Sequence, residues 1–272
     1  MNWKRSERLI DMTNYLTNHP RELVSLTFFS ERYNAAKSSI SEDLAILKNI
    51  FELQGIGKLV TYPGASGGVK YFVKVKDELV KPFVKELCEK LAKPDRLLPG
   101  GYLYLADIVG DPKIMDQVGR MFASKFSEEE IDAVMTVATK GIPLAYATAR
   151  LLNVPVVIVR RDAKITEGST VSINYVSGST KRIQTMLLSK KSLKEGSRVL
   201  IVDDFMKAGG TINGMISLLE EFNATYAGIA VLVESEEVER RLIDQYVSIV
   251  KLTNVDVENK KISVREGNYF LK

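Results

Sequence analysis

The stretch RVLIVDDFMKAGGTINGM, residues 198–215, limits the fold more than any other part of the chain. Val199 to Val202 form an uninterrupted apolar run that ends on two aspartates, Asp203 and Asp204. A short loop and Gly209-Gly210-Thr211 follow, and then Ile212, Met215, Ile216 and Leu219 recur on one helical face. A short run apolar at every position suits a strand covered on both sides. VPVVIV at 154–159 and YAGIAVLVES at 226–235 are runs of the same kind. Segments that alternate with them carry helical periodicity. The expected fold class is therefore α/β, with a central, mostly parallel sheet.

Before that body the pattern differs. Apolar residues at helical spacing run from about Arg5 to Thr17, and His19-Pro20 stops them. A second short helix is expected from Leu26 to Tyr33. In the third, Ile40, Leu44, Leu47 and Phe51 make one face, Ser39 and Glu42 have capping-box spacing at its start, and Gly55 ends it. GKLVTYPGASGGVKYFV then reads as a β-hairpin. Three helices and a hairpin in about 70 residues are the order of a winged helix-turn-helix. Lys37, Ser38, Ser39 and Ser41 stand where a recognition helix meets DNA, and the free N–H groups of a helix start favour phosphate. Lys58 and Lys70, on the hairpin arms, are candidates for an adjacent groove or backbone. The same segment also suits a packing module whose serines are simply caps. Charge favours the first reading: residues 1–74 carry 10 Lys+Arg against 7 Asp+Glu, while the remainder carries 28 against 27.

No apolar run approaches the ~20 residues of a membrane span, and the N-terminal residues lack a signal-peptide core. A cytoplasmic protein with no membrane contact is expected. Cys88 is the single cysteine and is expected to be a small buried hydrophobe on a helix. Residues 76–93 read as that linking helix, residues 74–126 as mixed and Pro-interrupted, and Gly100-Gly101 as a turn into a β segment.

Open α/β sheets bind ligands at the carboxyl ends of their strands, which is where Asp203 and Asp204 lie. Ala208, Gly209, Gly210 and Thr211 lead into a helix. Glycines admit a phosphate close to backbone N–H groups, Thr211 adds a hydroxyl, and the helix dipole favours the charge. Two carboxylates repel that phosphate and need another target: vicinal hydroxyls or a divalent cation. Together these describe a ribose 5-phosphate. A second strand-to-helix loop, ATKGIP, offers Thr139, Lys140 and Gly141 as a nest for a further phosphate, with its helix opening at Pro143. Phe205 and Tyr102 are candidates to stack on a purine ring or to pack in the core. Arg160, Arg161 and Lys164 either reach toward pyrophosphate or form a solvated charge run.

On these residues the body resembles the type I phosphoribosyltransferases. Hydrophobic-Asp-Asp before Gly-Gly-Thr is similar to their phosphoribosyl pyrophosphate (PRPP) motif, and TKGIP to their pyrophosphate loop. Residues 160–186, which include Lys181 and Arg182, stand in the place of their mobile flap. With the N-terminal segment, essentially the whole chain resembles the purine operon repressors of Gram-positive bacteria. The resemblance implies a winged-helix domain over residues 1–74 and an effector-binding, dimerisation domain over 75–272. It implies a homodimeric repressor of purine-synthesis genes that binds double-stranded DNA and is released by PRPP, with Mg²⁺ arriving on the PRPP. It also implies that no transferase reaction occurs. One departure from the enzymes bears on this: they have a small residue and Thr before Gly-Gly, where this chain has Lys207 and Ala208. Two alternatives stay open, a working purine phosphoribosyltransferase with a fused regulatory domain and an RNA-binding attenuator. Guanosine tetraphosphate, with diphosphates on both sides of its ribose, is an expected competitor of PRPP.

Overall fold

The computed structural model describes residues 3–64, 66–162, 168–176, 182–236, 238 and 240–271. Lys164, Lys181 and Ala65 of the hairpin turn lie outside the described residues.

The N-terminal unit is α1 (Arg5–Asn18), α2 (Leu26–Tyr33), α3 (Lys37–Gln54) and an antiparallel ribbon of β1 (Lys58–Tyr62) and β2 (Gly68–Phe72). The Ser25 hydroxyl caps α2 by accepting the Phe28 N–H, and Asn34 ends it in the left-handed region. The expected Ser39–Glu42 capping box is not formed. Ser30 donates its hydroxyl to the Ala35 carbonyl, the tight turn this closes leaves Ala36 extended, and α3 starts at Lys37. Ser39 is thus the third helical residue. Gly55 ends α3 at φ +63, as read, and Leu79 Cδ1 would lie 2.6 Å from a Cβ there. Met12, Leu16, Phe29, Tyr33, Ile40, Leu44, Leu47 and Phe51 pack with Leu59 and Tyr71 of the ribbon. Each fully buried side chain of this kind contributes about 1.5–3 kcal/mol.

Helix α4 (Asp77–Leu91) buries Val80, Val84, Leu87, Cys88 and Leu91 on one face against the body. Cys88 is free and buried, and burial pushes its thiol up to about 11. A small hairpin follows, β3 (Leu97–Leu98) and β4 (Tyr102–Leu103), turned by Gly100 and Gly101 at positive φ. Residues 106–125 depart from the mixed reading. They form α5 (Ala106–Val109) and α6 (Pro112–Lys125), the second capped by Asp111, whose carboxylate accepts the Lys113 N–H at 2.9 Å. Pro112 occupies the first helical turn, where its missing N–H costs nothing.

The rest of the chain runs β5 (Ala133–Val137), α7 (Ile142–Leu152), β6 (Val156–Val159), β7 (Thr170–Val176), β8 (Ile183–Ser189), β9 (Arg198–Met206), α8 (Gly210–Glu220), β10 (Thr225–Ser235), β11 (Val247–Asp256) and β12 (Lys261–Glu266). Six strands form the central sheet in the order β12-β11-β10-β9-β5-β6, parallel except for the edge strand β12. The α/β class with a mostly parallel sheet is as read. Strand β7 does not join that sheet: it pairs with β8 in a separate antiparallel ribbon against α8. Its alternation of apolar and polar residues suits one covered face only. No helix among the described residues is long and apolar enough to cross a membrane.

Candidate functional site

Strand β9 carries Asp203 and Asp204 to the carboxyl edge of the sheet, beside the end of β5. Gly209 caps α8 at φ +88, a conformation that favours glycine. On the neighbouring loop the Ala138–Thr139 peptide is cis, and Gly141 caps α7. Gly141 serves close approach: a Cβ there would lie 2.1 Å from Thr136 Oγ1 and 3.2 Å from Asp203 Oδ1. The two loops therefore meet side by side.

They bound a cavity of about 900 Å³. Asp203, Asp204, Phe205, Lys207, Ala208, Gly209, Gly210, Thr211, Thr139, Lys140, Arg161 and Tyr102 line it. Gly141 underlies the loop and is outside the lining, as is Arg160, whose backbone exchanges two hydrogen bonds with Leu187. Sequence reasoning missed a part of the wall beside the Gly100-Gly101 hairpin, formed by Leu98 with Val255 and Val257. Val257 is 51% exposed at the end of β11, a signal that only the fold supplies.

Asp203 is buried, and its carboxyl accepts the Asp204 N–H at 3.0 Å. Burial, and then the adjacent Asp204 charge, hold it well above the usual carboxylate range. Burial also raises Asp204, against the pull of Lys140 and Arg161. Among the described residues no cation lies within ion-pair distance of either, and no three acidic, His or Cys side chains converge as a metal site. The pair is desolvated with no ion-pair partner among the described residues, and Lys140 and Arg161 offset its burial only in part, as expected of groups that meet a ligand.

In the N-terminal unit, Lys37, Ser38 and Ser41 are exposed at the start of α3, and Ser39 is half-buried. Ala36 offers no side-chain cap, so the first-turn N–H groups remain available. Lys58 and Lys70 share the outer face of the ribbon with Tyr62 and Phe72. That face is turned toward the body: it borders a cleft of about 420 Å³ lined on the other side by Glu128, Glu129 and Glu130. In this arrangement the two wing lysines face an acidic stretch of their own chain. Arg21 crosses the same junction and donates to the Glu129 carbonyl at 2.6 Å.

Comparison with known proteins gives the same two parts. The family described as bacterial purine repressor, N-terminal, matches residues 4–73, and the phosphoribosyl transferase domain matches residues 106–268. The purine biosynthesis transcriptional repressor PurR of Bacillus subtilis is 64% identical over 269 residues, 99% of this chain and 94% of that one. The purine biosynthesis transcriptional activator PurR of Lactococcus lactis is 50% identical over 267 residues, 98% of each chain. Adenine phosphoribosyltransferase from Rhodothermus marinus shares the fold of the body, with a TM-score of 0.55 at 23% identity over 63% of this chain and 100% of the other. A likeness that runs nearly end to end includes the winged helix, whereas the enzyme's match covers 63% of this chain. The chain belongs to the bacterial purine repressor family, transcriptional regulators of purine biosynthesis that join a DNA-binding winged helix to a phosphoribosyltransferase-type domain.

Proposed function

We propose that this chain represses purine-synthesis genes by binding duplex DNA in their control regions, and that PRPP releases it. The observation that carries the effector reading is the cavity itself: two strand-to-helix phosphate loops border a carboxyl pair, Asp203 buried and Asp204 half-buried, with no cation in ion-pair range among the described residues. In this reading Ala208–Thr211 hold the 5′-phosphate, Thr139–Gly141 the pyrophosphate, and Asp203 and Asp204 the ribose hydroxyls. Mg²⁺ arrives with PRPP, since it is commonly bound by one or two carboxylates plus ligand phosphates. Tyr102 and Phe205 border the space beyond the ribose. A purine nucleotide with phosphates on both sides, guanosine tetraphosphate among them, fits the same cradles and competes.

The chain acts as a homodimer on paired half-sites, and in the cytoplasm, where its DNA and PRPP are. It carries out no transfer. Lys207-Ala208 stand in place of the small residue and threonine of the enzymes, which removes one phosphate contact and puts a bulky cation at the rim of the cavity.

The sign of regulation rests on the 64% identical relative named a repressor, whereas the Lactococcus lactis relative is named an activator. Purified protein is titrated onto purine-gene promoters at fixed salt, with and without PRPP, and transcription is read in the same mixture. Expected are operator binding, reduced transcription and release by PRPP. Changing Lys37 and Ser38 together to Glu sets like charge against DNA phosphate and should abolish binding while the body still takes PRPP. Operator affinity that survives this double change overturns the assignment of α3.

A further inference from the structure

Residues 240–246 run into β11 as a strap over the phosphate loop. Two of them touch it directly. The Leu242 N–H donates to the Ala208 carbonyl at 2.9 Å, and Ile243 Cγ1 lies 2.7 Å from where a Cβ on Gly209 would stand. The strap is thus the back wall of the Ala208–Thr211 cradle, and the left-handed turn at Gly209 is shaped against it.

One buried carboxylate fastens the strap. Glu234, 1% exposed, stands at the end of β10 and is outside the cavity lining. It accepts the Tyr246 hydroxyl at 2.5 Å and the Ser248 hydroxyl at 2.7 Å. Arg241 Nη1 lies 3.3 Å from it, and Arg241 Nη2 donates to the Ser235 carbonyl at 2.5 Å. The Arg241 guanidinium also covers the Tyr246 ring at 5.2 Å. From behind, Asn268 donates its side-chain amide to the Tyr246 carbonyl at 2.9 Å and its backbone N–H to Ser248 Oγ at 3.0 Å. A buried carboxylate with this many donors holds one geometry, because any other leaves charge unpaired.

We propose that Glu234 is a positioning residue for the effector, setting the shape of the 5′-phosphate cradle through Arg241, Tyr246 and the strap they anchor. The proposal rests on the assignment of the 5′-phosphate to Ala208–Thr211. It separates the two phosphate loops: a slack strap disturbs the 5′-phosphate cradle and leaves the Thr139–Gly141 loop, to which no backbone hydrogen bond of the described strap residues runs, unchanged.

The test uses full-length protein and three probes, PRPP, ribose 5-phosphate and inorganic pyrophosphate, with binding read by calorimetry. Glu234→Gln removes the charge at nearly constant volume. Tyr246→Phe removes one hydroxyl and no charge, and it carries the test if Glu234→Gln fails to fold. Expected for Glu234→Gln is about a tenfold loss for PRPP and ribose 5-phosphate, the equivalent of ~1.4 kcal/mol. Pyrophosphate affinity, and operator affinity without PRPP, should stay at wild-type values. Tyr246→Phe should follow in the same pattern with a smaller loss. Thr211→Ala serves as the control on the cradle. If it weakens ribose 5-phosphate and neither strap variant does, Glu234 has no positioning role and the cradle assignment stands. If none of the three variants weakens it, the cradle assignment itself falls and takes the strap with it. An equal loss for all three probes would show general destabilisation and overturn the proposal.

Discussion

Asp43 and Asp203 are both buried carboxylates, 0% and 6% exposed, and their surroundings are opposite. Asp43 lies on α3 and is gripped by two guanidinium groups of α1, Arg5 Nε at 2.9 Å and Arg8 Nε at 2.8 Å. Asp203 accepts its neighbour's N–H, has a second carboxyl beside it, and among the described residues has no cation within ion-pair distance, Arg161 acting on it only from farther off. The first arrangement fixes the angle between α3 and α1. The second stores a demand for partners that the fold leaves unmet. Burial alone does not mark a functional acid; burial without compensation does.

That contrast can be broken first at Asp43. Arg8→Met keeps a long side chain and leaves the carboxylate with Arg5 alone, which is half exposed. Leaving a buried carboxylate with no partner costs about 3–5 kcal/mol, and with Arg5 still in place part of that cost applies, so the N-terminal unit should melt below that of the wild type. Operator binding is then lost while PRPP binding, followed by calorimetry, persists. A variant that melts as the wild type does would make Asp43 no architectural acid. At the other site the outcome reverses. Asp203→Ala and Asp204→Ala should leave operator affinity intact and weaken PRPP binding by roughly tenfold to over a hundredfold, since hydrogen bonds to a charged group are worth ~1.5–3 kcal/mol. Gel-shift titrations would then show variants that hold DNA at PRPP levels that release the wild type. Unchanged PRPP sensitivity in both would mean that the carboxyl pair has been misassigned.

A smaller effect follows from protonation. Both aspartates titrate above the usual carboxylate range in the folded chain. Between that range, near ~3.9 for an unfolded Asp, and their raised values, the folded chain binds more protons than the unfolded one. Its stability therefore falls as pH rises through that window. Asp203→Asn removes one of the two charges and should flatten the fall, melting above the wild type at pH 7–8 and close to it at pH 4. Parallel melting curves across this range would contradict the assigned shift.

The strand-Asp-Asp-Gly-Gly-Thr-helix stretch was legible because local pattern fixed it: an apolar run, a break and a helical period are all read within 18 residues. Helix α6 is missed: Asp111-Pro112, a cap followed by a first-turn proline, is its local signal, but the sequence reading takes the prolines there as interruptions. Other features had no local signature. Asp43 and Arg8 lie 35 positions apart, and Val257 meets the Gly100-Gly101 hairpin only because β11 ends beside it. Lys58 and Lys70 were read as wing residues from spacing, and spacing carries no information about Glu128–Glu130, which the fold sets opposite them. Ser39 looked like a cap because the hydrogen bond from Ser30 that closes the preceding turn spans two elements.

The comparison sharpens most finely at Ala208. This residue lines the cavity half-buried, with its carbonyl already held by Leu242, so its backbone has little freedom. Ala208→Thr restores the side chain that the resembling enzymes carry there. Its hydroxyl would stand at the mouth of the cradle and donate to the 5′-phosphate. A hydrogen bond to a charged group contributes about 1.5–3 kcal/mol at best, so PRPP affinity should rise by roughly tenfold or somewhat more. β-Branching opposes the gain, because threonine has fewer rotamers beside a fixed loop. The N-terminal unit is untouched, so DNA affinity without PRPP should not change, and the midpoint of release should move to lower PRPP by the same factor as binding. The variant also tests the enzyme reading. Incubated with PRPP and each of adenine, guanine, hypoxanthine and xanthine, it should release no more pyrophosphate than the wild type, because one phosphate contact positions the ligand and supplies no group that acts on the departing pyrophosphate. Turnover that appears with Ala208→Thr alone would show that a single missing hydroxyl separates this regulator from a transferase.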